Sequence, residues 1–108
     1  MSKAKYQIDV ENGVDENGAP VLATCYLKEM DRGVLERVLS LMAPTKGDPQ
    51  YIRAGELIIN SCWLDDAVVE GEKVKSDKAI KTDDNLLVAA AMKAFELVDI
   101  RTASIKKL

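Results

Sequence analysis

The 108-residue sequence contains no histidine and few aromatic residues: three tyrosines, one tryptophan and one phenylalanine. Histidine titrates nearest neutral pH and is the commonest metal ligand and proton shuttle. A catalytic site would therefore need a carboxylate, lysine, tyrosine or thiol with a strongly shifted pKa, and no motif of that kind is present. Because aromatic residues are few, we expect a core of aliphatic side chains and alanine.

Cysteines and long apolar runs are also scarce. The two cysteines, Cys25 and Cys62, lie far apart in the sequence, which favours two buried, reduced thiols over a disulfide framework. The longest uninterrupted apolar run, residues 86–92, is far shorter than the ~20 residues of a membrane-spanning helix. No apolar signal-peptide segment follows the N-terminus. We therefore expect a cytoplasmic protein with no membrane partner.

The charge is mildly acidic, with a net value of −3, and charged residues make up 31% of the chain. Apolar residues make up 47%, which is typical of one globular domain spanning residues 1–108. The only basic run consists of the lysines at 73, 75, 78 and 81, which alternate with acids and lack aromatic neighbours. This pattern predicts a solvated surface and no nucleic-acid partner.

The N-terminal segment is typical of a β-hairpin over about residues 4–29. Apolar side chains alternate with polar ones at Tyr6, Ile8 and Val10, and Asn-Gly pairs at 12–13 and 17–18 indicate turns. A second strand over residues 21–28 would place four apolar side chains on one face: Val21, Ala23, Cys25 and Leu27.

Two helices are predicted next, over residues 31–43 and 48–63. Asp31 is the expected N-cap of the first, whose apolar stripe comprises Val34, Leu35, Val38, Leu39 and Met42. Asp48 and Pro49 are the expected N-cap and first residue of the second. The second helix places Gly55 on its apolar stripe, with Ile52, Ile59, Cys62 and Trp63. We interpret Gly55 as a point where a neighbouring backbone approaches closely.

A third helix is predicted over residues 83–98, capped by Thr82 or Asp83. Its expected inner face comprises Leu87, Ala90, Ala91, Ala94 and Val98. Residues 64–81 are rich in charge and weakly periodic, and they predict an exposed, mobile loop with at most a short element at 67–69. Residues 100–108 fit either a continuation of the helix or a separate turn.

The predicted fold class is therefore α+β, with the N-terminal β-hairpin packed on a bundle of about three to four α-helices. No catalytic, cofactor-binding or metal-binding residues are predicted. The acids at 65, 66, 70 and 72 lack the ligand spacing of a calcium loop, and Asp83 and Asp84 are better explained by helix capping than by catalysis. A lone tryptophan such as Trp63 is typical of a core or interface anchor.

Several segments together resemble small phage tail assembly chaperone-like proteins of siphovirus-type phages and prophages. They are the Tyr-x-Ile-x-Val pattern at 6–10, Tyr-Leu-Lys-Glu-Met-Asp-Arg at 26–32 and Ala-Gly-Glu-Leu-Ile-Ile-Asn-Ser-Cys-Trp-Leu at 54–64. Ile-Lys-Thr-Asp-Asp-Asn-Leu-Leu at 80–87 and Ile-Lys-Lys-Leu at 105–108 complete the pattern. The stretch between 64 and 80 departs from it, because it is longer than the short acidic turn expected there.

The resemblance implies a non-enzymatic protein in the cytoplasm of the bacterial host. Such proteins bind the tape measure protein or another tail protein, and support assembly of the tail tube. We expect Tyr6, Ile8, Tyr26 and Trp63 to contact the partner, and a hairpin edge at residues 5–10 to allow a homo-oligomer. A small structural tail or head–tail subunit of the virion is the alternative hypothesis. A carboxylate-only enzyme ranks third; it would need a buried cleft holding two of Asp65, Asp66, Asp83 and Glu56.

Overall fold

Two small antiparallel sheets and four α-helices make up the part of the chain described by the computed structural model, residues 2–98 and 106–107. The elements are β1 (Tyr6–Val14), β2 (Pro20–Leu27), α1 (Arg32–Met42), α2 (Tyr51–Cys62), β3 (Trp63–Leu64), β4 (Asp66–Val69), β5 (Glu72–Lys75), α3 (Ala79–Thr82) and α4 (Asp84–Ala94), followed by a 3₁₀ turn at Phe95–Leu97. The predicted α+β class with an N-terminal hairpin is confirmed. The alternatives for residues 100–108 fall mostly outside the described residues.

The predicted hairpin forms the larger sheet, with strand order β1–β2–β3. β1 and β2 pair antiparallel from Tyr6 opposite Leu27 to Val14 opposite Pro20. The alternation predicted for the hairpin is confirmed near its open end, where the side chains directed at the helices are buried: Ile8, Val10, Ala23, Cys25 and Leu27. Val21, predicted on the same face, is 43% exposed because it lies beyond the helices.

The first Asn-Gly pair does not form the turn predicted at residues 12–13. Both residues lie within β1, where the register with β2 shifts between Glu11 and Val14. Gly13 has a φ of +84°, so the positive φ that favours glycine serves a β-bulge. The chain reverses at residues 15–19 instead, where the Asp15 carboxylate accepts backbone hydrogen bonds from Asn17 and Ala19.

Helix α1 begins as predicted. The Asp31 carboxylate accepts a 2.9 Å hydrogen bond from the Val34 backbone, which satisfies one of the free N–H groups of the first turn. Three residues of the predicted apolar stripe, Val34, Val38 and Met42, are buried in the core, while Leu35 and Leu39 are half-buried.

Helix α2 begins two residues later than predicted, at Tyr51, so Asp48 is not its N-cap. The Gln50 backbone N–H donates a 2.8 Å hydrogen bond to the Leu41 carbonyl. This bond ties the connection to the last turn of α1, and the helix starts only after it. The predicted stripe is also wrong at Ile52, which is 45% exposed, because the buried side of α2 runs through Ala54, Gly55, Ile58, Ile59 and Cys62.

Gly55 packs directly against the backbone of α4, as the sequence predicts. A Cβ added to Gly55 would overlap the Ala91 carbonyl and lie 2.8 Å from the Ala91 Cα. The Tyr51 and Phe95 rings stack one turn further along, with centroids 5.3 Å apart. Because 51 pairs with 95 and 55 with 91, α2 and α4 run antiparallel in close contact.

Helix α4 begins at its predicted cap, where the Asp83 carboxylate accepts hydrogen bonds from the Asn85 and Leu86 backbones. Of the predicted inner face, the three alanines at 90, 91 and 94 are buried and Leu87 is half-buried against the core, while Leu86, which was not predicted there, is more deeply buried. The α-helix ends at Ala94 and tightens into the 3₁₀ turn, so Val98 lies beyond it.

Residues 64–81 form regular structure, which corrects the predicted loop. β4 and β5 pair as a tight hairpin, and its two central residues, Glu70 and Gly71, have φ values of +51° and +82°. Positive φ at both positions is the requirement of a type I′ turn. Ala67 is fully buried, and backbone hydrogen bonds link Val68 to Ser2 and Ala4. The charged residues that indicated a loop occupy the exposed positions of this hairpin.

A buried serine joins the two sheets. Ser76 is 9% exposed, and its hydroxyl donates to the Leu64 carbonyl and accepts from the Tyr26 backbone N–H. The next residue, Asp77, donates its backbone N–H to the Thr24 carbonyl. Ser76 therefore provides a hydrogen-bond acceptor for the Tyr26 N–H of β2 where the short strand β3 ends. In this way it holds the second hairpin against the first.

Candidate partner-binding surfaces

The four residues predicted to contact a partner do not form one surface. Tyr6 and Trp63 lie in one row across the sheet, each paired with Leu27, and both are half-buried against the core. Ile8 is 5% exposed and packs within the core, so its side chain has little surface left for a partner. Tyr26 is half-buried on the opposite face, paired with Gln7.

Trp63 combines core packing with two polar contacts at its edge. Its indole N–H donates a 2.8 Å hydrogen bond to the Asp65 carboxylate. The Lys81 ammonium lies 4.7 Å from the ring centroid, at cation–π distance. Trp63 thus connects α2 to the segment carrying α3, and only part of the ring faces solvent.

The two thiols are free and buried, as the sequence predicts. Burial raises the pKa of Cys25 to about 11, and the nearby Asp9 carboxylate adds to the effect. Burial also raises the pKa of Cys62; Lys28 opposes this shift and Asp31 adds to it. Both thiols are therefore protonated at neutral pH, a form that is a poor nucleophile.

The acids of the enzyme hypothesis lie in separate elements with separate contacts. Asp83 caps α4, Asp65 accepts from the Trp63 indole, and Asp66 pairs with Lys75 across the second hairpin. Glu56 lies on the exposed side of α2. Within residues 2–98 and 106–107, no group of three or more Cys, Asp or Glu residues is placed to hold a metal ion.

An apolar strip is exposed where α2 and α4 pack together. Ile52 is 45% exposed, Val88 36% and Met92 55%. Ile52 and Met92 directly follow Tyr51 and Ala91, two residues of the contact between the antiparallel helices α2 and α4. Val88 lies one turn before Met92 on α4, so all three side chains occupy the same solvent-facing side of the helix pair. We call these three residues the outer strip. Sequence analysis missed it, although the unbroken apolar run at 86–92 signals a helix that is apolar beyond its buried face.

A groove of about 530 Å³ lies between the exposed sides of α1 and α2. We call it the α1–α2 groove; its apolar lining is Leu41 and Leu57, and its charged lining is Arg37, Arg53 and Glu56. The ion pairs found in residues 2–98 join Arg32 to Glu36 and Lys93 to Glu96, so neither groove arginine has a carboxylate partner there.

The distal half of the β1–β2 hairpin, residues 11–22, is the third surface, and we call it the hairpin tip. Every residue in it is exposed, including Val14 at 69% and Leu22 at 53%. Large apolar side chains in such positions are typical of interaction sites when they cluster.

Comparison with protein-family models, with curated proteins and with solved structures gives no match for this chain. None of the helices in residues 2–98 has the length and apolar character needed to cross a membrane. The three surfaces are therefore interpreted from their own chemistry.

Proposed function

We propose that this chain is a non-enzymatic phage tail assembly chaperone of the bacterial host cytoplasm, which binds the tape measure protein and supports assembly of the tail tube. The proposal rests on the resemblance carried by residues 6–10, 26–32, 54–64 and 80–87 and on one structural observation. That observation is the outer strip, a solvent-facing apolar surface shared by two closely packed helices.

The outer strip suits an amphipathic helix as its ligand. Ile52, Val88 and Met92 lie along the line where two helices meet, so a third helix could lay its apolar face over them. The flexible methionine side chain adapts to different apolar partners, which favours binding of many similar segments along a long helical protein. Gly55 contributes to this surface because it lets α2 and α4 pack closely, which brings the apolar side chains of the two helices next to each other.

The proposal is tested by co-expressing the chain with a tape measure protein from the same genome, followed by pull-down. We expect soluble tape measure protein to be recovered only when the chain is present. Met92→Glu should reduce recovery severalfold, because the charge would be desolvated against an apolar helix. Thr45→Glu, which adds the same charge in the exposed α1–α2 connection, is the matched control and should leave recovery unchanged.

Two results would contradict this proposal. One is recovery of the tape measure protein that is equal with and without the chain. The other is equal loss with Met92→Glu and Thr45→Glu, which would show that net charge, and not the outer strip, governs the effect. Circular dichroism of both variants verifies that they keep the wild-type helix content.

A structural subunit of the tail or head–tail junction is the second candidate. The hairpin tip favours it, because a projecting element with exposed apolar residues is suited to link neighbouring subunits in a particle. Mass spectrometry of purified virions separates the two functions. A chaperone is absent from the finished particle, whereas a subunit is present in a fixed number of copies.

A further inference from the structure

The hairpin tip carries an apolar and acidic face that is exposed throughout the part of the chain that the structure describes. Leu22 is paired directly with Glu11, and Val14 with Pro20, so these four residues share one face of the hairpin. The bulge at Gly13 produces this arrangement: by simple alternation Val14 would share the face of Ile8 and Val10. With the bulge, Val14 joins Leu22 on the opposite face, beside Glu11.

The charge of the hairpin has one sign. Between residues 6 and 27 the sequence contains four acids and no lysine or arginine. The Asp9 carboxylate accepts from Thr24 and the Asp15 carboxylate from the turn backbone, whereas no side-chain hydrogen bond or ion pair within residues 2–98 engages the carboxylate of Glu11 or Glu16. The tip therefore presents apolar side chains together with uncommitted carboxylates.

The α1–α2 groove has the complementary composition. Leu41 and Leu57 supply apolar surface, and the Arg37 and Arg53 guanidiniums have no carboxylate partner in residues 2–98. A guanidinium binds a carboxylate in a two-pronged geometry, so each arginine fits an acid such as Glu11. The chain as a whole is acidic, which makes a groove with two arginines and one acid a distinct local site.

The dimensions of the two surfaces agree. The strands continue about 13 Å beyond Val10, at roughly 3.4 Å per residue. The groove side of α2, from Arg53 to Asn60, extends about 10 Å at 1.5 Å per residue. The tip cannot fill the groove of its own molecule, because Arg53 and Asn60 lie on the side of α2 opposite the buried residues that pack towards the sheet.

We infer that the hairpin tip of one molecule docks in the α1–α2 groove of a second copy of this chain. The contact joins two different surfaces, so it is head-to-tail and leaves a free tip and a free groove at the ends. Such a contact generates a ring if its rotation closes and a filament if it does not. The inference does not depend on the tape measure protein, since both surfaces belong to this chain.

The test uses two complementary variants and sedimentation velocity. Leu22→Asp places a charge on the apolar face of the tip and leaves the groove intact. Arg53→Glu reverses a groove charge and leaves the tip intact. The wild type should form concentration-dependent oligomers that weaken as salt is raised, and each variant alone should be monomeric, with association at least about tenfold weaker.

Mixing the two variants gives the decisive measurement. In an equimolar mixture the intact tip of Arg53→Glu can enter the intact groove of Leu22→Asp, so we expect a 1:1 dimer that grows no further. Thr45→Asp, in the exposed α1–α2 connection, and Arg32→Glu, on α1, lie outside both the tip and the groove lining, and these matched controls should assemble as the wild type does. If circular dichroism shows that either main variant is unfolded, Val14→Asp or Arg37→Glu replaces it.

Three outcomes would overturn the inference. The first is a wild type that is monomeric at every concentration reached. The second is oligomerisation of Leu22→Asp or Arg53→Glu at wild-type strength. The third is a mixture that stays monomeric although each variant abolishes assembly alone, which would indicate that the tips pair with each other or that the variants disturb different contacts.

Discussion

The two ends of the β1–β2 hairpin share one pair of strands but have opposite surroundings. At the open end, Ile8, Cys25 and Leu27 are almost fully buried beneath the helices. At the closed end, residues 11–22 are all exposed, although Val14 and Leu22 are as apolar as the residues at the open end. Val14 and Leu22 lie on the outer face of the sheet, but Val21 shares the face of Cys25 and Leu27 and is still 43% exposed. Burial in the core therefore requires both the inward face of a strand and a helix that covers it.

The same comparison separates stability from interaction. A two-stranded hairpin without a packed face is marginal in water, so the tip depends on its turn and on the anchored open end. Side chains at the open end therefore contribute to the free energy of unfolding, and those at the tip are available to another molecule. Three experiments on stability test this division, beginning with the largest expected effect.

The first experiment compares two leucines of the same strand. Leu27→Ala removes a fully buried side chain and should lower the free energy of unfolding by about 2–5 kcal/mol. Leu22→Ala, at a position that is 53% exposed, should change it by less than about 0.5 kcal/mol. Urea denaturation of the monomer measures both. Equal losses of unfolding free energy in the two variants would show that the tip is packed in solution, and would contradict the division between a stabilising open end and an available tip.

The second experiment extends the comparison to two helical glycines. Gly55→Ala forces a methyl group into the Ala91 backbone and should cost about 1–3 kcal/mol or more. Gly33→Ala in the first turn of α1 is the control, because its Cβ would lie 3.4 Å from the Asp31 carboxylate, an ordinary contact. We expect Gly33→Ala to be neutral or up to about 1 kcal/mol more stable. A tolerated Gly55→Ala would contradict the close approach of α2 and α4.

The third experiment uses the buried thiol of the open end. The pKa of Cys25 is raised from 9.0 to about 11 by folding, so between these values the folded chain binds a proton that the unfolded chain has released. Stability from this group is complete below pH 9 and is lost as the pH rises through 11, by roughly 2 kcal/mol. Cys25→Ala should lack this component, so the two unfolding curves should converge with rising pH. Parallel curves would mean that Cys25 is accessible to water.

Most of the fold followed from local patterns. Alternation located β1 and β2, an acidic cap located the start of α1 and of α4, and Gly55 indicated a close contact between helices. These signals act over a few residues, since a cap or an alternating strand is read from its immediate neighbours. The start of α2 was misplaced because Gln50 is bound to Leu41, a contact that no pattern around Asp48 contains.

The surfaces were less predictable than the elements. The sequence of residues 64–81 predicts a loop because charged side chains occupy the exposed positions, and the signals of a hairpin are confined to the Glu-Gly turn and a few β-branched residues. The sequence predicts Tyr6, Ile8, Tyr26 and Trp63 as contact residues, and the structure adds that Tyr6, Ile8 and Trp63 face the core in whole or in part. The outer strip was missed because exposure depends on where neighbouring helices end.

The sequence by itself determined the class of fold, the approximate extent of the hairpin and three helices, and the burial of the two free thiols. Only the tertiary structure decided which apolar residues remain outside and which face of the tip carries Val14. The physical reason is that periodicity defines faces within one element, whereas burial depends on the elements that pack against those faces. At the tip, a single bulge residue moves the Val14 side chain to the opposite face of the sheet, and this change can be seen only from the pairing of β1 with β2.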